Sequence, residues 1–349
     1  MDELWLRLPS ESVKFNDSSE SIPFSRSISL CYSTAFGGEK FFFPFPVYFV
    51  DSWTLSAVFS MSFLKSLFGK PKLNYRQKYE LLHEAISGTM SQVYKARDRQ
   101  TGDLVAVKIL DMQIMQRVDA RWKAMGVKKP TEGEISVMFD HPYIVQTLDQ
   151  GLTTDGEHYL VMEYLEGTGL NNILLVPDDL MAGSRTYYMR QVAEGLLEVH
   201  KKGFIHRDIC PRNLLFVGDA TILKLTDFGL TLPNKPPFTD PGNRTGTPNY
   251  MAPELVRRKP TDLRLDVFSF GVTMYELFTR ELPWPRGDTG IAAMSHSEQP
   301  QPITDYRPNI NKLIAKAIHS CIEPDVTKRC ANMEQFLKMI KKVEEDDES

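Results

Sequence analysis

The stretch "HRDICPRN", His206 to Asn213, decides how the chain is read. It sets a carboxylate, Asp208, next to one guanidinium, Arg207, with a second guanidinium, Arg212, and an amide, Asn213, close behind. A carboxylate so placed can take a proton from a hydroxyl, and an amide oxygen can join the ligand sphere of a hard cation. Just upstream, "TYYMRQVAEGLLEVHKKG" repeats apolar residues at helical spacing and ends on Gly203, a helix stop. Downstream stand "TDFGL", with a second carboxylate at Asp227, and "GTPNYMAPE", residues 246–254.

The surroundings of this stretch are those of a globular protein. The 349 residues are 42% hydrophobic and 25% charged, enough for one large domain or two lobes. A net charge of -4 provides no global basic field, which argues against a nucleic-acid partner. Cys31, Cys210, Cys321 and Cys330 show neither paired spacing nor His partners for zinc, so they read as free thiols in a reducing, cytoplasmic setting. No charged n-region followed by a short apolar core opens the chain, so a secretory leader is not expected.

Residues 1–60 are Ser-rich and then strongly aromatic, but Pro44, Pro46, Asp51 and Ser52 interrupt the apolar run and argue against a membrane helix. This segment reads as disordered or as lying outside the natural product, because Met61 opens a second start. In "MSFLKSLFGKPK", residues 61–72, Phe63, Leu64, Leu67 and Phe68 share a helical face, with Lys65, Lys70 and Lys72 around it. The basic lead-in 61–78 is expected to pack a helix end on the domain, contact with a membrane surface through 61–72 being the alternative. From Tyr79 apolar residues alternate, and Gly102 marks a turn between two strand-like runs. Helical periods take over after residue 168. The pattern predicts an α+β fold: a small antiparallel β-sheet lobe with one helix, 79–163, a larger mainly helical lobe, 168–343, and a solvated acidic tail, 344–349.

Transfer of a phosphoryl group needs a cation on the phosphates, metal ligands and a group that orients the attacking hydroxyl. "VAVK", residues 105–108, places Lys108 on a strand; "HRDICPRN" and "TDFGL" follow with the carboxylates and the amide. With "HPYIV" at 141–145, "YLVMEYLEG" at 159–167 and "GTPNYMAPE", the run from Tyr79 to Val343 resembles the eukaryotic-type serine/threonine protein kinases. The resemblance implies a bilobal fold that transfers the γ-phosphoryl group of ATP to Ser/Thr hydroxyls of protein substrates, itself included, with Mg²⁺ or Mn²⁺. It implies Lys108 on the α/β-phosphates, Asp208 as catalytic base, and Asn213 with Asp227 as metal ligands. The nucleotide would lie among Ile86, Gly88, Ser91, Val93, Ala106, Met162 and Leu215, with Glu163 and Leu165 at the adenine. Arg207 would belong to a basic pocket for a phosphorylated loop, with Thr231, Thr239 and Thr245 as candidate acceptors. Thr247 would contact Asp208, Asp266 would anchor the catalytic loop, and Arg329 would pair with Glu254.

Four departures from the family pattern stand out. Of the three glycines expected over the phosphates only Gly88 is present, the others being Ile86 and Ser91, so weaker nucleotide binding is expected. The partner of Lys108 is expected to be Glu132, with Glu134 as the alternative. The preceding "DMQIMQRVDARWKAMGVKKP" is longer and more basic than a connector requires. Finally, Cys210 stands where these enzymes usually carry a lysine on the γ-phosphate. Arg212 is the expected substitute, and Cys210 itself is expected to be a small packed residue rather than a reactive thiol. These departures keep a nucleotide-binding pseudokinase scaffold as the alternative.

Overall fold

The computed structural model describes residues 29–36, 39–46, 72–87, 91–176, 180–218, 221–242 and 244–347. The chain divides into two compact units, Met1–Leu67 and Phe68–Ser349. In the first, β1 (Ser29–Phe36) and β2 (Glu39–Pro46) form an antiparallel hairpin with Ser29 opposite Pro46 and Phe36 opposite Glu39. The remainder of 1–60, and residues 61–71 with their expected amphipathic face, lie outside the described residues.

In the second unit a short helix, α1 (Tyr75–Lys78), is capped by the Asn74 side chain, which accepts from Gln77 N at 3.2 Å. It delivers the chain to β3 (Tyr79–Ser87), β4 (Ser91–Asp98) and β5 (Leu104–Leu110), which join β6 (Thr147–Leu152) and β7 (His158–Glu163). The five strands form an antiparallel sheet in the order β3-β4-β5-β7-β6. Gly102, at φ +83°, makes the β4–β5 turn, and the Asp98 carboxylate accepts from Gln100 N at 2.8 Å there. Alternation on β5 buries Val105, Val107 and Ile109 in one apolar cluster with Tyr79, Ala96, Tyr159 and Val161. Ala106 and Lys108 therefore face the other way.

The single helix expected in this lobe is divided in two. α2 (Met112–Ala124) begins at Asp111, whose carboxylate accepts from Gln113 N and Ile114 N at 2.8 and 3.1 Å. It ends before Gly126, which takes φ +68°. Pro130 and the Thr131 N-cap then start α3 (Glu132–Ser136).

The helical lobe comprises α4 (Leu170–Leu175), α5 (Arg185–Lys201), α6 (Pro253–Val256), α7 (Arg264–Thr279), α8 (Thr289–Ser295), α9 (Lys312–Cys321) and α10 (Met333–Met339). Short strand pairs join them: β8 (Phe204–Ile205) with β11 (Leu232–Pro233), and β9 (Leu214–Val217) with β10 (Ile222–Leu225). Gly203 takes φ +82° just past the end of α5. α7 is apolar almost all round and is correspondingly buried, from Leu265 to Phe278. Where it crosses α9, a Cβ on Gly271 would stand 2.6 Å from the Cys321 Cβ, so only glycine admits this approach.

In the acidic end Glu344 and Glu345 are exposed, but Asp346 departs from the solvated tail expected. Asp346 is 2% exposed and accepts from Thr186 N and Oγ1 at 2.8 and 2.7 Å and from Arg185 N at 3.1 Å. The first amides of α5 have no partners within the helix, so a carboxylate delivered by the chain end is stabilised there.

Candidate active site

Lys108 projects from β5 into an ion-pair triad, its Nζ 2.7 Å from buried Glu132 Oε1 and 2.9 Å from Oδ1 of Asp227, whose side chain is partly open to solvent. Burial disfavours the ammonium, but the two carboxylates outweigh it and hold the Lys108 pKa above its ordinary value. The choice between Glu132 and Glu134 is made by the N-terminus of α3. Glu134 reaches back to Thr131 N at 2.8 Å while Thr131 Oγ1 accepts from Glu134 N at 3.2 Å, a reciprocal cap that turns Glu134 away from the cleft. Burial pushes the Glu132 carboxyl up, against the pull of Lys108.

Asp227 is one of the few non-glycine residues at positive φ, 65°, and Arg207 is another, at 73°. Such backbone costs about 1–3 kcal/mol per residue and persists only where the surroundings fix it. Phe228 supplies the fixing at Asp227: it is buried, stacks on Phe139 at 4.9 Å and meets His206 edge-on at 5.0 Å. At Arg207 it is Asp266 of α7, fully buried, that accepts from His206 N and Arg207 N, both at 2.7 Å, and pairs with His200 Nε2 at 2.9 Å.

Held in this way, Asp208 presents its carboxylate between two partners. Thr247 donates to Oδ1 from its hydroxyl at 2.6 Å and from its amide at 3.0 Å. Asn213 Nδ2 donates to the Asp208 carbonyl at 2.7 Å and to Oδ2 at 3.0 Å. With its nitrogen so engaged, Asn213 has its amide oxygen as the group to offer a cation, and the Asp227 carboxylate is the second hard oxygen donor. Arg212 extends an Nη2 to Thr247 Oγ1 at 3.0 Å, so the threonine hydroxyl links the guanidinium to the Asp208 carboxylate. The Cys210 thiol is fully buried, 3.8 Å from Thr247 Oγ1, and burial pushes its pKa up to about 11. It is a packed neutral thiol.

Val93, Ala106, Met162, Leu165 and Leu215 are all half-buried, in contrast to the buried residues beside them on β5, β7 and β9. Val93 lies opposite Lys108 and Ala106 opposite Met162 in the strand register, which sets Val93, Ala106 and Met162 on the face of the sheet that carries Lys108. Glu163 commits its amide to the Gln146 carbonyl at 3.0 Å, and its carboxylate to Lys224 Nζ at 2.6 Å and Gln146 N at 2.8 Å. Ser91 pairs with Leu110 and the Ile86 backbone with Val93; Gly88 lies outside the described residues.

A family model described as protein kinase domain matches residues 79–340. The chain belongs to the protein kinase family. Among its relatives are a probable serine/threonine-protein kinase of Clostridium perfringens, 32% identical over 278 residues, covering 77% of this chain and 38% of the relative. A serine/threonine-protein kinase of Myxococcus xanthus is 29% identical over 272 residues, 74% of this chain and 48% of the relative. The hormonally up-regulated neu tumor-associated kinase of Homo sapiens is 31% identical over 255 residues, 72% of this chain and 34% of the relative. The chain thus spans less than half the length of each of these kinases.

The kinase's activation segment runs from "DFG" to "APE" and is fixed at its far end by Glu254. Arg329 grips that carboxylate through both nitrogens, at 2.6 and 3.0 Å, in a buried bidentate pair. Thr231 is fully buried and directs its hydroxyl to the His206 carbonyl, which removes it as an accessible acceptor; Thr239 is half-buried and Thr245 exposed. The unexplained basic stretch turns out to brace this kinase segment. From α2, Trp122 is 3% exposed in an apolar cluster with Leu232 and Phe238, the Phe238 ring centred 4.9 Å away, and Arg121 Nη2 donates to the Pro241 carbonyl at 3.2 Å. A tryptophan inside an otherwise basic helix was the signal for this contact.

Proposed function

We propose that this kinase transfers the γ-phosphoryl group of ATP to Ser/Thr hydroxyls of protein substrates through a catalytic domain spanning about residues 79–343. The observation that carries the reading is the Asp208 carboxylate, aimed by Thr247 and Asn213 beside an assembled Lys108–Glu132–Asp227 triad. In this reading Asp208 receives the proton of the acceptor hydroxyl, and Lys108, held by Glu132, steadies the α/β-phosphates. The Asn213 amide oxygen and the Asp227 carboxylate would hold Mg²⁺, which would supply positive charge to offset that of the phosphates. Val93, Ala106, Met162 and Leu215 flank the base, with backbone at Glu163 and Leu165 to address its polar edge.

Arg212 takes the part of the missing lysine. Cys210 is neutral at physiological pH because its thiol is pushed up to about 11, so it supplies no charge. Arg212 is exposed and tied to the catalytic carboxylate through Thr247, which supports a guanidinium acting on the transferred group from the acceptor side. The buried thiols Cys210, Cys321 and Cys330 fit a reducing cytoplasm. Among the described residues no helix is long and apolar enough to cross a membrane.

The test incubates the full chain with Mg²⁺ and labelled ATP, beside Asp208→Ala and Lys108→Met. Label on Ser or Thr that disappears in both variants supports the reading. Nucleotide-dependent thermal stabilisation without any label would favour a pseudokinase scaffold.

A further inference from the structure

Three arginines gather around the segment that aims Asp208, and the nearby carboxylates are almost all spoken for. Arg212 is exposed and lies 3.0 Å from Thr247 Oγ1, which is itself 2.6 Å from Asp208 Oδ1. Arg286, with its side chain 58% exposed, covers Glu276 at 2.7 Å. The second oxygen of Glu276 takes the Tyr250 hydroxyl, so this carboxylate, 5% exposed, has nothing left for a ligand. The Arg286 loop is tied to the same segment by Gly287 N, which donates to Asn249 Oδ1 at 2.9 Å. From the near side, Arg244 donates Nη2 to the Thr289 carbonyl at 3.0 Å, a neutral partner that leaves its charge uncompensated.

A second observation points the same way. The Nε of Arg244 is buried and has no hydrogen-bond partner. A guanidinium nitrogen so placed is costly unless an acceptor arrives, and an anionic acceptor satisfies both the hydrogen bond and the charge. Of the other carboxylates, Asp288 caps α8 by accepting from Gly290 N and Ile291 N at 2.7 and 3.0 Å, and Glu281 is within electrostatic reach of Arg286. Asp208 is reserved for the acceptor hydroxyl. Among the described residues, a basic peptide side chain therefore meets Arg212 and Arg244 with little carboxylate left to hold it, whereas an anionic side chain meets exposed Arg212, which Asp208 and Asp227 neutralise in part, and Arg244, whose hydrogen-bond partner is a neutral carbonyl.

We infer that this kinase selects acceptor peptides with anionic side chains flanking the Ser/Thr, held by Arg212 on one side and Arg244 on the other. The inference rests on the phosphotransfer reading above and adds the substrate class. The shared chemistry is an oxyanion, which an Asp or Glu carboxylate or a previously phosphorylated serine can supply.

The test is a positional peptide library with a central Thr, flanked by Glu, phosphoserine, Ala or Lys, presented to the full chain with Mg²⁺ and labelled ATP. Binding is read in parallel by fluorescence anisotropy. We expect Glu-flanked peptides to exceed Ala-flanked ones by at least about fivefold in kcat/KM and in affinity, Lys-flanked ones to fall below both, and the preference to weaken with salt. A further gain for phosphoserine over Glu would assign the groove to previously phosphorylated substrates, and parity would assign it to acidic ones. Arg244→Ala should collapse the Glu-to-Ala ratio and Arg244→Lys should keep part of it, while Arg286→Ala, by uncovering Glu276, should move the preference toward Lys. Lys-flanked peptides bound as well as Glu-flanked ones by the wild type would overturn the inference, as would a ratio untouched by Arg244→Ala. Absence of transfer to every peptide would sink the phosphotransfer reading alone, since anisotropy still reports the charge preference.

Discussion

Replacing Arg212 by Ala isolates the charge proposed to stand in for the missing lysine. The guanidinium sits 3.0 Å from Thr247 Oγ1, and that hydroxyl is 2.6 Å from Asp208 Oδ1, so Arg212 is two hydrogen bonds from the Asp208 carboxylate. A hydrogen bond to a charged group contributes about 1.5–3 kcal/mol, so the loss in kcat should be about one to two decades. Because Arg212 is exposed and partly screened by solvent, the lower end of that range is the firmer expectation. Cys210→Ala is the matched control. Its thiol is pushed up to about 11 and is uncharged at pH 7.5, so truncation removes packing but no charge. Stability should fall by about 1 kcal/mol while kcat changes less than about threefold. Arg212→Lys, which keeps a cation but loses the planar fork, should recover part of the rate. The assay is single-turnover phosphotransfer to a Thr peptide at saturating ATP, which separates chemistry from binding. Equal and small effects of Arg212→Ala and Cys210→Ala would refute the reasoning.

Other consequences follow from the same contacts. Thr247→Val removes the hydroxyl that joins Arg212 to Asp208 and should lower kcat by about tenfold or more, whereas Thr247→Ser should retain most of it; both are read in the same turnover assay. Trp122→Ala empties a buried site against Leu232 and Phe238, a loss of about 3–5 kcal/mol that should appear as faster hydrogen exchange in the activation segment, not throughout the helical lobe. Asp346→Ala uncaps α5 and should cost about 0.5–2 kcal/mol in urea denaturation. Lys108 first of all holds Asp227 below the usual carboxylate range; at Asp266 burial opposes the charged form, but His200, His206 and the Arg207 amide outweigh it. Both folded-state values are depressed, so their stabilisation is complete above about pH 4 and is lost as the pH falls through the lower folded values. Urea midpoints should drop below about pH 4, and less steeply in Asp266→Asn; a midpoint that rises on acidification would contradict the assignment.

The parts of the site that could be read from sequence are those carried by short local patterns. Lys108 sits in a strand whose alternation is explicit, and Asp208, Asn213 and Asp227 occupy motifs only a few residues long. Glu132 and Glu134 could not be separated in this way, because both are first-turn carboxylates of α3 and only the Thr131 cap tells them apart. The Trp122–Phe238 contact joins residues far apart in the chain, so no local periodicity encodes it. Asp346 could not be told from its exposed neighbours Glu344 and Glu345 for a related reason: a charge run is usually a solvated face, and whether a helix N-terminus lies within its reach is decided by tertiary packing. The split of the expected single helix was visible in principle in Gly126 and Pro130, but its use as a brace was not.

The central claim is that the assembled site performs phosphotransfer, and Asp208 tests it most directly. First-turnover transfer from Mg²⁺-ATP to a Thr peptide should be measurable for the full chain and should fall by about two to four decades in Asp208→Asn, with nucleotide binding retained. Equal rates in the two proteins, or nucleotide binding with no transfer by either, would contradict it.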